Sequence, residues 1–454
     1  MKKQHIEQPT KKQHTLYASI WRWHFYAGLI FSPILILLAI TGAIYLFKPQ
    51  IEEVMYKDLY QVSATDRAEK QSAEQLLQQI KKEYSDMDVL HFTPSLEPER
   101  TAQAKLMVEG EMTTLFVDPY RGEIVGSLTE DDRFMNQIVA LHGELMIGTL
   151  GDRLVELAAS WALILVVTGL YLWWPRQKKA LFGTLLPRLG KGTNKRTRLR
   201  DLHAVPAFWL SFLIVILILT GLPWAGVVGE KINEVATYTN SGYPEEMWEQ
   251  PQSTLPTKDV ADNVAWAAEE MPVPESGDGK RIVSVDQVIE IAAKSDVEAG
   301  YSISLPQEDT GVYTVSVFPE QPERQATLHI DQYSGKVLAD LRFSDYGTLA
   351  KIISIGIALH EGHYFGVINQ VIALITCLGL IGIVATGIWM WWKRKPAGKF
   401  GAPPAKPLGR WKWGVLIILL IFGLILPLVG ISLVVILLLD LVTRLIVRWK
   451  GKRA

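Results

Sequence analysis

Along the 454 residues, apolar runs long enough to cross a bilayer alternate with charged, soluble-looking segments. A membrane-spanning helix takes roughly 20 apolar residues. Segments 23–47, 140–174, 203–228 and 358–392 each hold such a run. The first is predicted as a retained helix. It is too long for the apolar region of a signal peptide. Lys48-Pro49-Gln50-Ile51-Glu52, which follows it, offers no small-residue cleavage site. Two polar inserts follow the first and third spans, at 48–139 and 229–357. In the first, segment 72–84 predicts a helix, 105–108 and 113–117 predict strands, and 118–122 predicts a turn into Glu123-Ile124-Val125. The second opens on an irregular stretch, 238–279, rich in Pro, Glu and Asp. It then repeats the order: a helix at 285–294, strands at 311–317 and 326–330, and a turn at 331–335 before Lys336. Each insert therefore holds a small α+β module. A last apolar run, 413–447, is broken by Pro427 and Gly430 into two halves, 413–426 and 431–447. At a rise of about 1.5 Å per residue, neither half reaches across a bilayer. A helical hairpin with both ends on one side is therefore expected.

The pattern is written twice. Segments 140–174 and 358–392 both open Ala-Leu-His, carry Thr-Gly near the end and close on Trp-Trp. The spacing from His142 to Thr168 equals that from His360 to Thr386. Likewise, the spacing from His24 to Thr41 equals that from His203 to Thr220. An internal repeat this regular outranks local reading. The expected fold is an α-helical integral membrane protein with duplicated helix–insert–helix halves. It has four core spans, small α+β modules in the inserts and a C-terminal hydrophobic hairpin.

Lysine and arginine crowd segments 1–22, 175–202, 393–412 and 448–454. The positive-inside rule puts all of these, and both termini, in the cytoplasm, with both inserts outside. A net charge of −1 gives no reason to expect nucleic acid. The single cysteine, Cys377, lies in an apolar run and reads as inert packing. Internal disulfides and thiol redox pairs are thereby excluded, so any redox chemistry needs another cofactor.

Four of the nine histidines occupy matched register beside the spans. His24 and His203 open spans one and three at the cytoplasmic side; His142 and His360 precede spans two and four at the outer side. Each depth receives one histidine from each half. A b-type haem takes two axial ligands on opposite faces, and imidazoles from facing helices supply them. The register thus predicts two haems b stacked across the bilayer, with iron held by His24 and His203 at one depth and by His142 and His360 at the other. Arg22, Arg153 and Arg200 are placed to pair with propionates. The Trp-Trp pairs read as interfacial aromatic residues, and the Thr-Gly pairs as packing features. His360-Glu361-Gly362-His363 is not a zincin motif, because its histidines are three apart rather than four. His363 has Leu145 as its counterpart and reads as an outer substrate contact, an alternative ligand or an incidental residue. No catalytic residue is assigned.

Trp23-His24, the two Ala-Leu-His segments, the four Thr-Gly pairs and the Trp-Trp-Pro and Trp-Trp-Lys helix ends together resemble the PepSY-associated transmembrane helix family of bacterial inner-membrane proteins, over about residues 17 to 395. The inserts resemble PepSY modules through Phe116-Val-Asp-Pro-Tyr-Arg-Gly122 and His329-Ile-Asp-Gln-Tyr-Ser-Gly335. The C-terminal hairpin lies outside this likeness. Members are often iron-regulated, and some are haem-containing ferrisiderophore reductases. The resemblance implies periplasmic modules, His24, His142, His203 and His360 as haem ligands, and a ferric siderophore or other ferric chelate as electron acceptor. No Gly-rich dinucleotide fingerprint follows a strand, so the donor is a quinol or a separate reductase. Two other readings stay open. One is a membrane-anchored PepSY module that binds a peptidase or envelope protein. The other is an iron-chelate transporter, since duplicated halves are common among transporters.

Overall fold

The computed structural model describes residues 13–63, 69–175, 182–242, 252–262, 264–398, 401 and 412–451. Much of the basic sequence behind the orientation argument (1–12, 176–181, 399–400, 402–411 and 452–454) lies outside the described residues, as does 243–251 of the stretch read as irregular. The chain divides into two compact units, one from Met1–Ala43, Ala140–Lys231 and Val371–Ala454, the other from Ile44–Val139 and Ile232–Gln370.

The main helices, in chain order, are α1 (Gln13–Tyr45), α2 (Ala73–Glu83), α3 (Phe134–Glu144), α4 (Thr149–Trp173), α5 (Lys195–Gly221), α6 (Gly226–Tyr238), α7 (Val285–Lys294), α8 (Thr348–His360), α9 (Val367–Arg394), α10 (Lys412–Ile425) and α11 (Pro427–Gly451). Among the described residues, four helical segments are long and apolar enough to cross a membrane: Leu16–Tyr45, Thr149–Trp173, Lys195–Trp224 and Val367–Arg394. The protein is a membrane protein whose spans meet lipid.

Two of these helices begin well before their apolar runs. In α5 the Asn194 side chain caps the helix by accepting from the Thr197 amide at 2.8 Å. Such a cap sets a helix start independently of hydropathy. With starts at Gln13 and Lys195, the two helices carry His24 and His203 in their interiors, and not at helix mouths as the apolar runs suggest.

In the tail, α10 has 14 residues and α11 has 25. Pro427 occupies the first turn of α11, where its missing N–H breaks no helical bond. Gly430 does not interrupt the helix. It lies against Gly423 of α10, where an added Cβ would sit 3.0 Å from the opposite Cα. The second half of the tail thus starts before Gly430 and runs past its expected end at Val447, as far as Gly451. The Trp161 Nε1–H of α4 donates to Ser432 Oγ of α11 at 3.1 Å.

The other unit is built on an antiparallel sheet. Its strands are β1 (Val89–Thr93), β2 (Ala102–Val108), β3 (Glu111–Val117), β4 (Ile124–Thr129), β5 (Ser302–Ser304), β6 (Val312–Val317), β7 (Ala326–Asp331) and β8 (Val337–Arg342). They form one eight-stranded sheet in the order β8-β7-β6-β5-β1-β2-β3-β4. Each insert contributes four consecutive strands, and the sets join through β1 and β5, the strands that sequence reading missed. The join is narrow, with His91 opposite Ser304 and Phe92 opposite Ile303.

Helices α2 and α7 open on matching capping boxes, Ser72 with Gln75 and Ser284 with Gln287. Asp286 of α7 also accepts from the Ala73 and Glu74 amides at 2.8 and 3.1 Å, capping the other helix. One core cluster runs through both sets, with Leu76, Phe92 and Leu115 from the first insert and Val288, Ile303 and Leu328 from the second. The inserts do not fold as two separate modules.

Candidate functional site

The geometry at His24 and His203 starts from their hydrogen bonds. His24 Nδ1 lies 2.9 Å from Thr168 Oγ1 of α4. The Thr168 hydroxyl spends its own hydrogen on the Ile164 carbonyl at 2.7 Å, so it accepts from His24 Nδ1–H. His203 Nδ1 lies 2.8 Å from the Ile383 carbonyl of α9, which can only accept. Both rings thus carry hydrogen on Nδ1 and a lone pair on Nε2, the tautomer that a metal-binding imidazole needs.

Their ring centroids are 6.5 Å apart with planes at 82°. An imidazole nitrogen binds a metal at about 2.0–2.1 Å, so two trans imidazoles on one ion, ring radii included, have centroids roughly 6–6.5 Å apart. A shared axis leaves each ring free to rotate, so the steep interplanar angle is compatible. At that spacing the two imidazoles could hold one metal-centred cofactor between them. Among the described residues, no three His, Cys, Asp or Glu side chains gather as a bare metal site would require.

The same bond recurs at another depth. His142 of α3 places Nδ1 2.8 Å from Thr41 Oγ1 of α1, and the Thr41 hydroxyl donates to Leu37 O at 2.8 Å. His24 and Thr41 share α1, separated by roughly five helical turns. The helical unit therefore holds one imidazole in the interior of α1 and a second beside Thr41, near its C-terminal end. Glycines line all three rings. A Cβ on Gly169 would meet His24 Cε1 at 3.3 Å, one on Gly387 would meet His203 Cε1 at 3.3 Å, and one on Gly42 would meet His142 Cε1 at 3.5 Å. The Thr-Gly pairs at 41–42 and 168–169 are thus histidine partners, a role that packing alone did not suggest.

After His142 the chain turns through Leu145 and Met146 at φ 51° and 57°, then Gly148 at φ 61° and ψ −141° before α4. The left-handed region is uncommon for leucine and methionine, and such strain persists where the surroundings enforce it. His360 is the last residue of α8, in the sheet-bearing unit.

His363 has both ring nitrogens engaged. Nδ1 is 2.8 Å from the Glu320 carbonyl and Nε2 is 2.8 Å from the Glu361 carboxylate, which also accepts from Tyr45 OH at 3.2 Å. Burial works to lower its pKa, but the Glu361 hydrogen bond and charge outweigh it and hold the imidazole above its ordinary 6.5. A group whose pKa rises on folding contributes stability that is full below its unfolded value and lost as pH rises through its folded value. The stability difference between wild type and His363→Ala is therefore expected to shrink with rising pH above about 6.5. Melting temperatures taken across the range from about pH 6 to about pH 9 check this, and a gap that stays constant would refute it.

Two of the three arginines proposed as propionate partners have carboxylate partners, while Arg22 lies over the Tyr26 ring at 5.1 Å. Arg153 Nη1 lies 2.7 Å from Asp152, and Arg200 Nη2 lies 2.6 Å from Asp201. Asp201, fully buried, also holds Arg188 Nε at 2.8 Å. Sequence reasoning passed over Asp201, although it is the only acid in 175–202. It also passed over the buried Glu156 of α4, which accepts from the Val227 amide at 2.8 Å in the first turn of α6. Trp173, assigned no chemistry, stacks on Phe208 at 4.0 Å and donates to Thr184 O at 2.9 Å.

Residues 21–394 match the family model described as PepSY-associated TM region. The chain belongs to that family. The PepSY-associated TM region covers His24, His142, His203, His360 and His363, and α10 and α11 lie beyond it. No curated protein matches the chain.

Proposed function

We propose that this PepSY-associated TM-region protein holds two b-type haems and passes electrons across a bacterial inner membrane to a ferric chelate, such as a ferrisiderophore, on the outer side. The observation that carries the reading is the His24–His203 pair, with centroids 6.5 Å apart and both Nδ1 atoms donating elsewhere. The register of the repeat pairs His142 with His360 for the second haem, and the Thr41 bond gives His142 the tautomer that role requires. The duplication itself draws support from the two sets of four strands and the two Ser–Gln capping boxes.

Haem at these positions supplies one-electron transfer. The protein's own part is to present the ligand nitrogens at fixed depth and to keep water from the imidazoles with the surrounding apolar helices. In the overall reaction each ferric ion takes one electron. A quinol releasing two electrons and two protons therefore serves two ferric chelates. Hard oxygen ligands hold ferrous iron less tightly, so reduction frees the metal. In this reading the termini and the 175–202 loop are cytoplasmic and both inserts periplasmic, which the lysine- and arginine-rich segments support.

The test is the absorption spectrum of purified protein, followed by reoxidation. A b-type spectrum that sharpens with dithionite and returns to the ferric form within minutes of adding a ferric siderophore is expected. A colourless protein from haem-replete cells would end the reductase reading in favour of a peptidase- or envelope-protein-binding module. A haem protein inert to several ferric chelates would end the substrate assignment alone.

A further inference from the structure

We infer that Thr41-Gly42 and Thr168-Gly169 are positioning elements for the haem ligands, with the threonine hydroxyl setting imidazole donor strength and the glycine clearing room for the ring. The inference rests on the haem reading above and adds to it.

Two segments exchange these elements. The α1 helix carries His24 and Thr41-Gly42, while His142 and the Thr168-Gly169 of α4 lie in the other segment. Each histidine takes its hydrogen-bond acceptor and its glycine from the opposite segment. In each case the hydroxyl gives its hydrogen to a backbone carbonyl one turn earlier, Ile164 or Leu37, leaving a lone pair aimed at Nδ1–H. A helical threonine commonly bonds backward in this way; here its second lone pair is also used. At His203 the glycine is kept but the acceptor changes. Gly387 lies against the ring, the Ile383 carbonyl takes the Nδ1–H, and the Thr386 hydroxyl donates to Gly382 and Ile383.

An imidazole that donates from Nδ1 is a more basic ligand at Nε2, and it favours the higher oxidation state of the metal. Removing the acceptor weakens the ligand and shifts the balance toward ferrous iron. Thr168→Val deletes the hydroxyl at nearly constant shape and strands the Nδ1–H of His24. Full-length purified protein is expected to lose affinity for one haem by roughly 10–100-fold and to show a raised midpoint potential for whatever remains there. Thr168→Ser is expected to restore both. Gly169→Val, which drives a branched side chain into His24 Cε1, should empty the same centre. Thr41→Val should shift the other centre and leave this one unchanged.

Haem per protein by pyridine haemochrome, redox titration and the low-spin ferric EPR signal read the outcome independently of turnover. A haem-bearing wild type alongside a Thr168→Val or Thr41→Val protein with unchanged content, potential and EPR would overturn the threonine role and leave the haem reading intact. A haem-free wild type would overturn both.

Discussion

His24→Ala and His203→Ala are each expected to remove the same haem, although the two residues come from opposite halves of the repeat. A six-coordinate iron loses its ligand field when either axial bond goes, so each single variant should drop from about two haems per chain to about one. The double variant should cost little more than either single, because two ligands on one ion act as a unit and their effects are not additive. The geometry makes this specific. The two rings sit 6.5 Å apart, whereas the His142 ring is tied to Thr41, roughly five helical turns further along α1. Combining His24→Ala with His142→Ala should therefore remove both haems. Haem stoichiometry with redox titration decides the matter. Depletion of one centre by His24→Ala and of a different centre by His203→Ala would mean that the pair shares no haem.

Phe92→Ala should cost about 3–5 kcal/mol, the range for emptying a buried phenylalanine site. Phe92 is 1% exposed and pairs with Ile303, itself fully buried, at the join between the two strand sets. Because one apolar cluster runs through both sets, the loss should register beyond β1. Hydrogen exchange is the sharper measurement. Amides of β6 and β7, contributed by the other insert, should lose protection together with those of β2 and β3. Unchanged protection in β6 and β7 would show that the sets unfold independently.

Different parts of this structure were legible to different degrees. The spans could be seen because apolar length is a local property of the chain. Helix α7 was legible because Ser284 and Gln287 mark its start and its apolar positions recur with helical period. Strands β1 and β5 were not, since Val89-Leu-His-Phe-Thr93 and Ser302-Ile-Ser304 are short, mix polar residues and become strands only by pairing with their neighbours. At the site, the repeat exposed the histidines and the Thr-Gly pairs alike. It could not show that one serves the other, because the bonds from Thr168 and Thr41 join helices far apart in sequence. Hydropathy places His24 and His203 at helix mouths because it marks only the apolar core, whereas caps and amphipathic residues carry the helix further.

The β1–β5 join also bears on how the chain is made. Strand β1 is complete at Thr93, its neighbour β5 begins only at Ser302, and α4 and α5 are synthesised in between. Until β5 is made, β1 has no neighbour on that side, and its outward amides and carbonyls lack their strand partners. Such an edge is a template for pairing with the wrong chain. The contact that closes it joins segments far apart in the chain, which makes it slow to form. The nascent protein must therefore shelter that edge until Ser302–Ser304 arrive.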